Sequence, residues 1–223
     1  MATSVIRWTL RIGIFFAVVL LLYIAVTIGE GYIRAPRVVE AHVRERPLAL
    51  TRSDLSQEQL RILLAVEDPR FFDHSGIDVR TPGAGMTTIT QGLVKFLYFD
   101  KFAPGLAKIR QSLLAIGFDA RIDKDTQLAI FLNSAYLGTL DGREVLGFEE
   151  AARVYFSVPF RELTREQFIA LVAMCVGPNQ FSVVLQREEN GERVARIERL
   201  LRGECKSRGL TDVYYDECTA AVR

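Results

Sequence analysis

Residues 67–78 read Glu67-Asp68-Pro69-Arg70-Phe71-Phe72-Asp73-His74-Ser75-Gly76-Ile77-Asp78. Twelve residues hold four carboxylates, one of the chain's two histidines and an adjacent pair of phenylalanines. A fully solvated loop has little use for Phe-Phe, so the pair places this turn partly inside the protein. A carboxylate held against apolar walls has a raised pKa and can take a proton at neutral pH. Just upstream, Ser56-Gln57-Glu58-Gln59 reads as a capping box, and Leu60, Leu63, Leu64 and Val66 follow at helical spacing. Pro69 drives Asp68 out of the helical region, which puts Glu67 at or near the helix C-terminus.

The 223 residues are 49% apolar and 25% charged, enough for one globular domain and an appendage. A formal net charge of +1 gives no field that would recruit nucleic acid. The histidines at 42 and 74 and the three cysteines have no metal-site spacing. Cys175 lies in an apolar run and reads as core. Cys205 and Cys218 lie in a polar tail and can pair only if that tail is exported, which sequence alone leaves open.

The appendage is N-terminal. Ile12 to Ile28 is an uncharged run of 17 residues, about 25 Å as a helix. It is longer than the h-region of a signal peptide, and no small-x-small cleavage site follows it. The expectation is a single membrane helix near residues 8–29. Arg7 and Arg11 ahead of it favour a cytoplasmic N-terminus, although Arg34 and Arg37 beyond it weaken that bias. Residues 1–30 are thus read as cytoplasmic tip and anchor, 31–55 as an extended linker with Pro36 and Pro47, and 56–223 as the main domain.

Within that domain the pattern predicts helices over 56–67, 87–98, 107–122, 124–136, 148–156, 164–176 and 186–203. Asp123 and Thr164 read as N-caps, and Gly191 interrupts the last helix, whose charges read as a solvated face. The class is mainly α. The glycines at 83 and 85 make half a dinucleotide fingerprint and lack the preceding strand, so that reading is discarded. Phe96, Leu97, Tyr98, Phe99 and Phe102 gather around Asp100 and Lys101, either as a core edge or as a lip in the membrane interface.

Taken together, these residues resemble the peptidoglycan glycosyltransferases of family 51, the monofunctional membrane-anchored kind. Glu67-Asp68-x-x-Phe71-x-x-His74-x-Gly76-x-Asp78 is similar to that family's first motif. Gly85-x-Thr87-Thr88-Ile89-Thr90-Gln91 with Lys95 resembles the second. Phe131-Leu132-Asn133-x-x-Tyr136-x-Gly138 resembles the fourth, and Glu149 to Phe156, Leu163-Thr164 and Pro178 follow the later pattern. The resemblance spans about residues 56–184 and implies a lysozyme-like, mainly helical domain behind one transmembrane helix. It places that domain outside the inner (plasma) membrane of a bacterium. It implies polymerisation of lipid II into glycan strands, with Glu67 as general base on the acceptor hydroxyl and a lipid pyrophosphate leaving. Asp68 and His74 would orient the loop of Glu67, Phe71 would belong to the substrate side, and Lys95, Thr88 and Gln91 would line the cleft. The implied partners are lipid II, the growing glycan, the membrane and other cell-wall synthesis proteins. Transpeptidases stand among these, because no transpeptidase-sized region follows.

The third motif departs from the family's Arg-Lys-x-x-Glu. Here Ala107-Lys108-Ile109-Arg110-Gln111 stands in its place. Gly92, Phe96, Ala129 and Gln167 are further departures. Lys108 keeps a charge, and Arg110 could replace the lost arginine only if the helix slipped by one residue. Gln111 is given a catalytic place as an amide donor to a phosphate oxygen, which needs no bridging cation. No cofactor is then required, although Mg or Mn could still serve. The expectation is that Glu67, Lys95, Lys108 and Gln111 line one cleft. The alternative is an impaired relative that binds lipid II or glycan as a scaffold or regulator.

Overall fold

A computed structural model describes residues 2–82, 87–103, 105–209 and 211–218 of the chain. Gly83 and Gly85 of the glycine-rich bend lie outside the described residues. The architecture is helical. α1 (Ala2–Glu45), α2 (Gln57–Glu67), α3 (Ile89–Tyr98), α4 (Leu106–Asp119) and α5 (Lys124–Ser134) come first. A hairpin follows, β1 (Tyr136–Leu140) with β2 (Arg143–Leu146), then α6 (Phe148–Phe156), α7 (Arg165–Met174) and α8 (Arg187–Leu201).

The local chemistry accounts for the boundaries. Ser56, Thr88 and Thr164 each accept from the amide three residues on, and a glutamine at each of those positions closes a capping box. Asp123 caps α5 by accepting from the Thr126 amide. α8 runs through Gly191 without a break. The hairpin carries its own signal: Asp141 and Gly142 have φ of 51° and 76°, so the two-residue turn is of the mirror-image kind that matches strand twist.

The extended linker expected over 31–55 is largely a helix. α1 continues through Pro36 as far as Glu45. The cause is a stripe of small residues at four-residue spacing, Thr27, Gly31 and Ala35, all buried. Gly31 meets the backbone of Leu114 in α4, and Gly117 of α4 meets the backbone of Ile28 and Tyr32 in α1. A Cβ on Gly31 would lie 2.4 Å from the Leu114 carbonyl oxygen, and one on Gly117 would lie 2.0 Å from that of Ile28. Tyr98 adds a hydrogen bond from its hydroxyl to the Gly31 carbonyl, 2.8 Å. This packing offsets the one amide that Pro36 removes from the helical ladder. α1 is therefore both the apolar N-terminal helix and a wall of the domain. By length and composition it is long and apolar enough to cross a membrane, and its apolar stretch is exposed.

The core lies between α2, α5, α6 and α7. Phe148, Phe160 and Phe168 are fully buried and stack on one another, and Ile62, Leu63, Leu128 and Leu171 close around them. Each such side chain contributes about 1.5–3 kcal/mol of burial. Asn133 ties the chain after α1 to this core. Its carbonyl oxygen accepts from the Ala49 and Leu50 amides, and its amide donates to Leu50 and Ala129. Cys205 and Cys218 form a disulfide.

Candidate active site

Glu67 is the last residue of α2, and Asp68 is its C-cap. The Asp68 carboxylate is fully buried and accepts from His74 Nε2 at 2.9 Å and from the Ile89 amide at 3.0 Å. The Gly76 amide donates to His74 Nδ1, which leaves Nε2 as the donor to Asp68. Thr88 donates from its hydroxyl to the Gly76 carbonyl. The loop after α2 and the first turn of α3 are thus laced together, with Glu67 at the edge of the lacing.

Glu67 opens onto a cleft of about 640 Å³. Lys95, Phe96, Phe99 and Phe102 line one side, and His42 and Arg46 at the end of α1 line another. Burial pushes the Glu67 carboxyl up to about 7; the charge of Arg193 limits the rise and that of Asp68 adds to it. Near neutral pH such a group is divided between acid and base forms, which suits proton transfer. The Lys95 ammonium sits 5.3 Å from the centre of the Phe102 ring. Lys108 donates to the Thr87 hydroxyl, 2.7 Å, and Thr87 also lines the cleft. Burial, and then the charge of Lys95, hold the Lys108 ammonium below its usual range. Lys108 itself does not line the cleft, which Lys95 shares with Glu67 and Asp100.

Several predicted site residues are employed elsewhere. Gln111 does not line the cleft. It is 1% exposed, donates to the Gln91 carbonyl at 2.6 Å, and its own oxygen has no partner. A neutral amide can be buried against α3 in this way because it carries no charge that must stay hydrated. One terminal nitrogen of Arg110 donates to both carboxylate oxygens of Glu30 of α1, at 2.9 and 3.0 Å, so the one-residue slip toward the cleft does not occur. Phe71 is fully buried in edge contact with Phe72 and His74 and belongs to the core. Thr88 and Gln91 spend their side chains on capping α3 and on Gly76 and Ser112. Asp68 and His74 bond to each other and to the Ile89 and Gly76 amides.

Sequence reasoning passed over His42, Arg46, Tyr136 and Cys175, all of which line the cleft. It also placed Arg193 on a solvated face, whereas this residue is 1% exposed. The spacing of Asn190, Arg193 and Ile197 was the available signal, since it is the buried stripe of α8.

With the geometry in view, the family profile described as Transglycosylase matches residues 36–202. The chain belongs to the transglycosylase family. The chain is 30% identical to penicillin-binding protein 1B of Vibrio cholerae serotype O1 over 180 residues, which is 73% of this chain and 23% of that protein. It is 32% identical to penicillin-binding protein 1B of Escherichia coli K12 over 151 residues, 62% of this chain and 18% of that protein. Penicillin-binding protein 1F of Bacillus subtilis 168 is 29% identical over 154 residues, 63% of this chain and 21% of its own length. The chain thus spans about a fifth of these relatives' length. Its mainly helical, lysozyme-like fold is the one that the family resemblance implied.

Proposed function

We propose that this transglycosylase is a membrane-anchored peptidoglycan glycosyltransferase that polymerises lipid II and releases lipid pyrophosphate. The observation that carries the reading is Glu67, a carboxyl raised to about 7, facing the same cleft as Lys95. In the proposed step Glu67 takes the proton from the acceptor sugar hydroxyl, that oxygen attacks the anomeric carbon of the growing strand, and the diphosphate leaves. Lys95, with Lys108 beside it, offsets the charge developing on the diphosphate. α1 crosses the inner membrane with its N-terminus in the cytoplasm, and the domain lies outside. Phe96, Phe99 and Phe102, at the cleft edge, rest in the lipid interface and receive the lipid chain.

A divalent cation at the third-motif position does not fit the residues present. Gln111 offers no carboxylate there and its amide is committed to Gln91. No step is routed through a metal.

A second reading has its own support. Arg110 is paired with Glu30 and Gln111 is buried, so neither of these third-motif side chains lines the cleft. Such a cleft suits a lipid II or glycan binder that serves other cell-wall synthesis proteins, transpeptidases among them. Incubating the full chain with fluorescent lipid II in detergent, then separating glycan products by size, tests the two. Polymer supports the transferase; saturable binding without polymer supports the binder.

A further inference from the structure

Behind Glu67 lies a layer that begins in α8 and continues into the tail past residue 202, where the family match ends. Its centre is Arg193. The guanidinium is buried; its Nε donates to the Ala173 carbonyl at 3.0 Å, and one terminal nitrogen donates to the Val213 carbonyl at 2.9 Å. It also lies over the rings of Phe181, Tyr214 and Tyr215, at 5.2, 5.8 and 5.5 Å. Three of these contacts come from one short segment of tail. That segment is closed into a loop by the Cys205–Cys218 disulfide. It is also pinned directly to the site, because the buried Tyr215 hydroxyl donates 2.8 Å to the carbonyl of Val66, the residue before Glu67. Tyr215 sits at φ 56°, a conformation that a side-chain-bearing residue seldom adopts without being held there.

We propose that Arg193 is a positioning residue for Glu67, held in place by the disulfide-closed tail, and that it supplies the buried positive charge against which the Glu67 carboxylate can ionise. The proposal rests on Glu67 acting as the base. The groups around Glu67 single Arg193 out. Asp68 on its own segment pushes the Glu67 carboxyl up, and Cys175 at the end of α7 is a thiol that burial, and then Glu67 itself, keep protonated. Tyr215 from the tail is likewise kept protonated by burial and by Glu67. Lys95, Asp100, His42 and Arg46 face the open cleft from α3, the loop after it and α1. Tyr215 touches both sides of this relationship, its ring 5.5 Å from the Arg193 guanidinium and its hydroxyl on the carbonyl of the residue before Glu67, and no carboxylate pairs with that guanidinium among the described residues. The guanidinium charge opposes the rise of the Glu67 carboxyl. A glutamate walled in without such a charge stays protonated at neutral pH and cannot act as a base.

The test is a titration of the Glu67 carboxyl by carbon NMR in the full-length chain in detergent micelles, assigned by loss of its signal in Glu67→Gln. In Arg193→Gln the midpoint is expected to rise by about one pH unit or more. Arg193→Lys, which keeps a charge, is expected to restore part of the shift. The double variant Cys205→Ser/Cys218→Ser, which frees the tail, is expected to move it in the same direction by less. The low-pH limb of the lipid II polymerisation rate should move with the midpoint, so that activity lost near neutral pH returns in alkali. A packing defect would instead lower activity at every pH and leave the titration in place. A midpoint unchanged in folded Arg193→Gln overturns the proposal. If that variant does not fold, an unchanged midpoint in the double cysteine variant does so. The titration does not depend on turnover, so a chain without polymerase activity would sink the transferase reading and leave this relationship separately decided.

Discussion

Arg110 and Glu30 form an ion pair at 2.9 Å, which commits the guanidinium of α4 to the apolar N-terminal helix rather than to the cleft. Both side chains are partly exposed. Arg110→Ala is therefore expected to cost about 0.5–1 kcal/mol of stability and to leave KM for lipid II within about twofold. Lys95→Ala, by contrast, is expected to lower kcat/KM by about 10²–10³. Steady-state polymerisation kinetics for both variants check this, and a comparable loss for Arg110→Ala would return that residue to the substrate site.

Gln111→Glu is expected to destabilise the protein instead of adding a metal-dependent activity. The new carboxylate would be buried and aimed at the Gln91 carbonyl, which can give it no proton. Its folded pKa would lie above the unfolded value of about 4.3, so the loss is small in acid and grows with rising pH. Thermal unfolding of variant and parent at about pH 5 and pH 8 reads this. Equal midpoints at both pH values would mean that position 111 is solvated.

Glu67 itself should weaken the fold as pH rises. Its carboxyl is raised from 4.5 to about 7, so the folded state holds the proton that the unfolded state has released. The destabilisation is absent below the lower value, builds between the two and is complete above the higher one. Glu67→Gln removes it, and so is expected to be more stable than the parent above pH 7 by at most about 3 kcal/mol, with no difference near pH 4. Unfolding midpoints across that range are the measurement; a stabilisation that does not vary with pH would remove burial of the charge as its cause.

Gly117→Val is expected to detach α1 from α4, because even a Cβ at that position would lie 2.0 Å from a backbone oxygen. A loss of about 3 kcal/mol or more in stability follows from so tight an overlap. Normal thermal stability in the variant would show that the two helices do not pack through their glycines.

Four helices of the domain were legible because they announce their own start, whereas α4, α6 and α8 have no side-chain cap and show only in their apolar spacing. Ser56, Thr88, Asp123 and Thr164 cap through residues three positions away, a purely local signal. The placement of Glu67 was legible for the same reason, since Pro69 ends the helix beside it. The path of residues 31–45 was not. Pro36 and mixed charges read as linker, and only the tertiary contact of Gly31 with α4 makes the stretch helical. The hairpin signal of Asp141-Gly142 was present and passed over, because the strands beside it are short. Gln111 and Arg110 were assigned by their position in a motif, yet direction around the helix decides their partners, and a single turn separates the cleft from the interior. Arg193 was read as solvated because arginine usually is; three aromatic rings from distant positions keep it inside.

The most direct measurement compares lipid II polymerisation by the parent chain and by Glu67→Gln near neutral pH, in detergent and without added metal. A general base contributes about 10²–10⁴ in rate. The expected result is glycan polymer from the parent and a loss of that size in the variant, with binding of lipid II retained. Polymerisation by Glu67→Gln at the parent rate would contradict the assignment of Glu67 as the base.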